Sequence, residues 1–115
     1  MKAVIDSYSF GSIEINGRQY GSDVIIYPRK VEDSWWRESD HNLCLADIKE
    51  ILDFHPDILV IGTGKSGFMK VPDSVQEKIR GSGVELFVSG TDKAVRKYND
   101  VSEAKNTVAA LHLTC

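Results

Sequence analysis

Short apolar runs alternate with helix-like segments in the second half of the chain, and this pattern constrains the fold more than any other feature. The runs "DILVIG", "VELFV" and "TVAALHL" are separated by "PDSVQEKIR" and "TDKAVRKYN". Runs of this length that are rich in Val and Ile are typical of strands buried on both faces. Strand–helix–strand repeats predict a parallel sheet with right-handed crossovers. "SEAKNTVAAL" also fits a helix, but we favour a final strand.

Two features of the helical segments add detail. "CLADIKEILDF" has apolar residues at three- and four-residue spacing, with Cys44 and Asp47 at the positions of a capping box. In "TDKAVRKYN", we expect Thr91 as the N-cap and a buried face of Ala94, Val95 and Tyr98. Both segments therefore predict helices with one face on a core.

The first part of the chain predicts antiparallel β-structure. A strand over Ser12–Ile15 leads into Asn-Gly, which favours a type I′ turn, and Arg18–Tyr20 forms the return strand. Another strand over Asp23–Tyr27 ends at Pro28, which has no N–H for a ladder. We expect a single three-layer α/β domain over residues 1–115, with a central mixed sheet and an N-terminal antiparallel β-hairpin layer. Residues 1–30 form the β-rich part and residues 45–115 the α/β part.

Composition excludes several classes of protein. The 115 residues are 42% hydrophobic and 27% charged, which is ordinary for a folded chain. No apolar run approaches the roughly 20 residues of a membrane helix, and no signal peptide is visible. Two cysteines cannot form a disulfide framework. We expect a cytoplasmic protein with reduced thiols and no membrane partner.

Net charge is −3, which gives no general attraction to nucleic acid. The charge is unevenly distributed along the chain. Residues 1–57 carry 6 basic and 11 acidic side chains, whereas residues 58–115 carry 8 and 6. An anion site is therefore expected in the second half.

The segment "GTGKSG" raises the question of a phosphate-binding loop. A P-loop needs a glycine five residues before Gly64, where this chain has Leu59, and its helix must begin at the Lys-Ser pair. The Rossmann pattern also fails, because its third glycine belongs inside a helix. A tight turn or a ligand-binding loop remains, and the candidate ligand residues are Gly62, Thr63, Gly64, Lys65, Ser66 and Gly67.

The strongest candidate for an interaction surface is Trp35-Trp36-Arg37, within a polar segment. Adjacent side chains on an extended segment point to opposite faces, so one ring can be buried and the other exposed. Trp and Arg are enriched in binding hot spots. The alternative is that both rings pack over the sheet.

The histidines and cysteines suggest two weaker constellations. Cys44 at a helix start, three residues after His41, has the spacing of an activated thiol and its base. His112 and Cys115 are also three apart, but a stable metal site needs about four ligands. We find no base and nucleophile with a defensible geometry, so we expect no catalytic residues, no metal, no cofactor and no dedicated enzyme site.

The runs "DILVIGTGKSG…VP", "GVELFVSGT…AVRKYN" and "TVAALHLTC" resemble a family of small single-domain proteins of unknown biochemical function. It includes archaeal and bacterial stand-alone domains, an adipogenesis-associated protein and a mitochondrial complex I assembly factor, and the "HLTC" ending is similar to archaeal members. The resemblance implies a three-layer fold whose mixed sheet has a last strand antiparallel to its neighbours. It supplies no catalytic residues, and its assembly-factor members act through protein partners.

Two functions follow as hypotheses. The favoured one is a module that binds a protein partner, or another copy of itself, through Trp35, Trp36 and Arg37. The alternative is a protein that binds a small molecule or anion at Gly62–Gly67, with weak enzymatic activity as a further possibility.

Overall fold

The computed structural model of the chain describes residues 3–39 and 41–115. Its centre is a five-stranded mixed sheet in the order β5-β4-β8-β6-β7, and a separate three-stranded antiparallel sheet has the order β1-β2-β3. This confirms the predicted α/β class with an antiparallel hairpin layer. The strands are β1 Ile5–Ser9, β2 Ser12–Ile15, β3 Arg18–Tyr20, β4 Val24–Tyr27, β5 Lys30–Glu32, β6 Ile58–Thr63, β7 Glu85–Ser89 and β8 Thr107–His112.

In the hairpin layer, the local sequence was sufficient to predict the turn and the two strands beside it. Asn16 and Gly17 have φ of 50° and 80°, the two positive angles of the predicted type I′ turn, and β2 and β3 flank them at the predicted bounds. The prediction missed β1, because the stretch "IDSYS" buries only Ile5 and carries no apolar alternation. Its partner β2 supplies the pairing that defines it.

Three α-helices and one 3₁₀ turn cover the central sheet. The turn Leu45–Ile48 leads into α1 Lys49–Phe54, so one predicted helix is divided into two pieces. At its start, the Cys44 N–H donates to Asp47 Oδ2 at 2.8 Å, as the capping-box spacing predicts. α2 covers Asp73–Gly81 and α3 covers Thr91–Val101. None of these helices, within the described ranges, is long and apolar enough to cross a bilayer.

Strand residues alternate between two cores, one on each face of the central sheet. In β6, Ile58 and Val60 face the hairpin layer and α3, whereas Leu59 and Ile61 face the opposite side. That second core is completed by residues of α1, α2 and the long loop, including the buried ring of Trp35. Two cores divided by one sheet give the predicted three layers.

The last strand, β8, has two different neighbours. It pairs antiparallel with β4 and parallel with β6. The resemblance implied a last strand antiparallel to its neighbours, which is correct for β4 but wrong for β6. The parallel pairing with β6 follows from connectivity, since α3 carries the chain back across the sheet before β8 begins.

Two adjacent residues of α3 attach the N-terminal segment to the helix. The Tyr98 hydroxyl donates to the Ala3 carbonyl at 3.0 Å. The Asn99 amide accepts from the Ile5 N–H at 3.1 Å and donates to the Ile5 carbonyl at 2.8 Å. Because a primary amide can pair with both backbone groups of one residue, Asn99 acts like a neighbouring strand for β1. The hairpin layer is thus held to α3 by hydrogen bonds as well as by the shared core.

Candidate functional site

A pocket of about 470 Å³ lies where β8 ends and β4 begins. The antiparallel register pairs Val24 with Leu111, so the preceding Asp23 lies opposite His112. The long loop after β5 supplies the remaining wall. We call this the His112 pocket, and it is lined by Gly21, Ser22, Asp23, Ser34, Trp35, Trp36, Arg37, His41, His112, Leu113, Thr114 and Cys115.

Asp23 organises the polar wall of the His112 pocket. Its Oδ2 atom lies 2.8 Å from both Arg37 Nη2 and His112 Nδ1. Its Oδ1 atom accepts the Leu113 N–H at 2.8 Å. The side chains of Arg37 and His112 are only 4% and 6% exposed. Burial of a charge is costly unless it is paired and hydrogen-bonded, and Asp23 meets both conditions with three donors.

These contacts determine the tautomer of His112. An ionised carboxylate only accepts hydrogen bonds, so Nδ1 must carry the proton that it donates to Asp23. The 3.1 Å approach of Arg37 Nη2 to Nδ1 is then a contact between two donors that share one carboxylate oxygen. Nε2, the other ring nitrogen, is buried and has no hydrogen-bond partner among residues 3–39 and 41–115.

The two tryptophans have different environments, as expected for neighbours on an extended segment. Trp35 is 7% exposed; its N–H donates to the Asp23 carbonyl at 2.9 Å and its Nε1 to the Asp47 carbonyl at 3.1 Å. The Arg37 guanidinium lies 4.8 Å from the Trp35 ring centroid. Trp36, by contrast, is 80% exposed. Trp35 therefore fixes the loop, and Trp36 is available to a partner.

The glycine loop 62–67 lies beside the same end of β8, but it directs its backbone groups inward. Its residues Lys65 and Gly67 donate their N–H groups to the carbonyls of Thr114 and Gly64. The following Phe68 N–H donates to the Cys115 carbonyl at 2.9 Å. Of these loop donors, the Lys65 N–H thus binds the segment Leu113–Cys115, and the Gly67 N–H closes the loop on itself. A role for Gly62–Gly67 in ligand binding stays a prediction.

Thr91 explains why glycines are needed in this loop. It was expected to be an N-cap, but α3 begins at Thr91 itself, with Gly90 as the N-cap. Its hydroxyl instead donates to the His112 carbonyl at 2.6 Å and accepts the Gly64 N–H at 2.9 Å. A Cβ at Gly62 would lie 2.8 Å from that hydroxyl. The glycine loop therefore positions the backbone of His112 through Thr91.

Three exposed aromatic side chains belong to segments that lie beside Leu113–Cys115. Phe10 precedes Gly11, whose N–H donates to the Leu113 carbonyl, and the Phe68 N–H donates to the Cys115 carbonyl. Trp36 shares the His112 pocket with all three residues of that segment. Among the described residues, these are the most exposed large hydrophobic side chains, at 57%, 58% and 80% respectively. We call Phe10, Trp36 and Phe68 the aromatic rim.

The weaker constellations are separated or incomplete. The ring of His41 packs edge-on against His112, with centroids 5.8 Å apart, while Cys44 Sγ lies 3.9 Å from the Asn42 carbonyl. Cys115 lines the His112 pocket together with the two histidines. Even so, no group of three or more metal-ligating side chains occurs in the described part of the chain.

Sequence reasoning missed Asp23 and Arg37 as partners of His112. These residues lie far apart in the chain, and only the β4–β8 register brings Asp23 opposite His112. One signal was present. The strand "TVAALHL" contains a single ionisable residue in an otherwise apolar, buried run, and a buried ionisable side chain requires a partner.

Comparison with known proteins places the fold among uncharacterised domains. The chain is similar to a conserved hypothetical protein from Pyrococcus horikoshii OT3, with 24% identity, coverage of 96% of this chain and 98% of that one, and a TM-score of 0.86. It is also similar to a Mth938-like domain from Bordetella pertussis, with 19% identity, coverage of 96% and 85%, and a TM-score of 0.75. A third similar structure is an outer membrane protein from Bartonella henselae, with 20% identity, coverage of 99% and 97%, and a TM-score of 0.82.

These three likenesses establish the fold alone. A family model, described as a protein of unknown function (DUF498/DUF598), matches residues 5–112 and so covers nearly all of the chain. The matched range includes the hairpin layer, the glycine loop and the strand that carries His112. The chain therefore belongs to the DUF498/DUF598 family.

Proposed function

We propose that this chain is a protein-binding module whose aromatic rim docks an apolar surface of another polypeptide. The observation that carries the proposal is that Phe10, Trp36 and Phe68 are all exposed and belong to segments that lie beside Leu113–Cys115. Scattered exposed hydrophobic side chains are normal, but grouped ones mark interaction sites. The resemblance to assembly factors, which act through protein partners, supports the same function.

Trp36 is the expected anchor of this surface. Its ring stands in solvent next to a backbone that Trp35 and Arg37 fix in the core, so little order is lost when a partner covers it. Large aromatic anchors of this kind contribute about 2 kcal/mol or more to binding. Trp35 and Arg37 were predicted to contact the partner as well, but both are buried, so in this proposal they hold Trp36 in place and Trp36 makes the contact.

The test is quantitative binding by variants that stay folded. Capture from a native lysate identifies a candidate, and binding of the purified pair by calorimetry measures the affinity. Trp36→Ala should weaken binding about 30-fold or more, corresponding to about 2 kcal/mol. The matched control is Phe54→Ala, which removes an aromatic side chain that is 41% exposed outside the rim.

The same variants test whether the partner is another copy of this chain. If the partner is another copy, the molar mass in light scattering should rise with concentration for wild type and Phe54→Ala, but not for Trp36→Ala. Equal affinity of Trp36→Ala and wild type for every confirmed partner, with native circular dichroism, would reject the rim as the docking surface.

A further inference from the structure

The buried Nε2 atom of His112 has no hydrogen-bond partner among residues 3–39 and 41–115. A buried nitrogen without a partner is unfavourable, so natural proteins rarely retain one without a reason. The ring lines a pocket of about 470 Å³, within the range of roughly 300–1,000 Å³ typical of small-molecule sites. A ligand that hydrogen-bonds Nε2 would satisfy it.

Charge balance indicates which ligand this is. With neutral His112, the cluster holds the negative Asp23 and the positive Arg37, which balance each other. With protonated His112, two positive groups share one carboxylate, and Nε2 becomes a donor. An anion at Nε2 restores the balance. Asp23 is the only acidic side chain among the described residues that line the pocket.

The rest of the lining indicates the body of the ligand. Trp36 lines the pocket with an aromatic side chain that is 80% exposed. Small-molecule sites combine such apolar walls with a few polar groups that fix orientation. A planar apolar body therefore matches the walls, while a charged end matches His112.

We propose that the His112 pocket binds a small planar carboxylic acid as its anion, with the carboxylate accepting a hydrogen bond from protonated His112 Nε2. Asp23 holds the ring through Nδ1 and stabilises the imidazolium, as carboxylates do for histidines in hydrolase triads. His41 forms an exposed part of the wall, and its ring packs edge-on against that of His112. This site is separate in chemistry from the docking of a protein on the aromatic rim.

Binding is then linked to uptake of one proton. The groups that face His112 are Asp23, Arg37 and His41, and the thiol of Cys115 lines the same pocket. Because the proposed complex takes up one proton, the affinity for a carboxylate should increase as pH falls, by up to about tenfold per pH unit.

The experiment uses benzoate as the probe and benzamide as its uncharged, equally flat counterpart. Long-range ¹H–¹⁵N spectra of the three imidazoles follow each titration at several pH values. Benzoate should shift Nε2 of His112 toward the protonated form and leave His55 unchanged. Benzamide should bind at least about tenfold more weakly, because a charge-assisted hydrogen bond is lost.

Substitutions of the three histidines test whether His112 is the residue that binds benzoate. His112→Asn should weaken the binding of benzoate about tenfold or more. His41→Asn changes the wall of the pocket at an exposed position and so provides a second variant that does not disturb the core. His55→Asn is the matched control, because His55 is exposed at a positive φ of 55° that Asn tolerates and does not line the pocket. Should benzoate leave the His112 signals unmoved up to its solubility limit, or bind no better than benzamide, the proposal is wrong.

Discussion

The glycine loop and the His112 pocket lie beside the same C-terminal segment, yet their polar groups are used in opposite ways. The loop is glycine-rich and is a candidate ligand site by sequence, but Gly64, Lys65 and Gly67 donate their N–H groups within the protein. The pocket has no sequence signature, but it contains a buried His112 Nε2 without a partner among the described residues. Binding capacity depends on which donors and acceptors remain unsatisfied, and a motif alone does not reveal this.

Hydrogen bonds also connect the glycine loop to the His112 pocket. Thr91 accepts the Gly64 N–H and donates to the His112 carbonyl, and Lys65 donates to the Thr114 carbonyl. The loop therefore fixes the backbone of the strand end that carries the pocket. A structural role in positioning His112 accounts for the loop chemistry without any ligand at the loop itself.

Gly64→Ala is expected to have the largest effect on stability. Gly64 has φ of 105°, and a Cβ there would lie 2.4 Å from the carbonyl carbon of Cys115. Backbone strain of about 1–2 kcal/mol and overpacking of about 1–3 kcal/mol together predict a loss near 3 kcal/mol. Urea unfolding followed by circular dichroism measures the change.

Gly81→Ala is the matched control for this substitution. Gly81 ends α2, and a Cβ there has nothing within 4 Å. Alanine favours helix, so this change should leave stability unchanged or raise it by up to about 1 kcal/mol. Equal midpoints for the two variants would show that the loop does not hold the C-terminal segment, and the contrast between loop and pocket would lose its basis.

Tyr8→Phe tests a second attachment of the same segment, with a smaller effect. The Tyr8 hydroxyl donates to the Leu113 carbonyl at 2.8 Å, and its loss should cost about 1 kcal/mol at neutral pH. Burial, and then the charge of Asp92, raises the pKa of Tyr8 to about 12. Unfolding exposes a phenol with the ordinary pKa of about 10.

The sign of the effect of pH on stability follows from the difference between the pKa values of Tyr8 in the folded and the unfolded chain. The contribution of Tyr8 to stability is fully present below pH 10 and is lost as pH rises to about 12, because the unfolded chain ionises first. Urea unfolding between pH 8 and 11 should show a shallower alkaline decline for Tyr8→Phe than for wild type. Part of the decline should persist, since burial also raises the pKa of Tyr98 to about 12. Identical declines would mean that Tyr8 is not buried against this segment.

The sequence predicted those elements that are specified locally. Asn16-Gly17 defines its turn by its own conformational preference, and the alternation in β6 and β8 follows from burial on both faces. The site could not be predicted in this way. Asp23 meets His112 only through a pairing between strands that are 89 residues apart in the chain, and no local propensity encodes such a register. The aromatic rim is equally non-local, because three loops assemble it around one strand end.

Lys65→Ala should have the smallest effect on stability. It tests most directly whether the glycine loop, as well as the His112 pocket, binds an anion. Lys65 Nζ lies 3.1 Å from an Asp92 carboxylate oxygen, with both side chains more than 40% exposed, so the pair contributes at most about 1 kcal/mol. Lys49→Ala is the matched control, because it breaks the exposed pair with Asp53, which lies away from both regions. We expect similar small losses in both variants, and any thermal shift produced by phosphate, nucleotides or carboxylates should be the same as in wild type. If Lys65→Ala alone removes a phosphate-induced shift, the glycine loop binds the anion through its lysine, and the contrast drawn between loop and pocket is reversed.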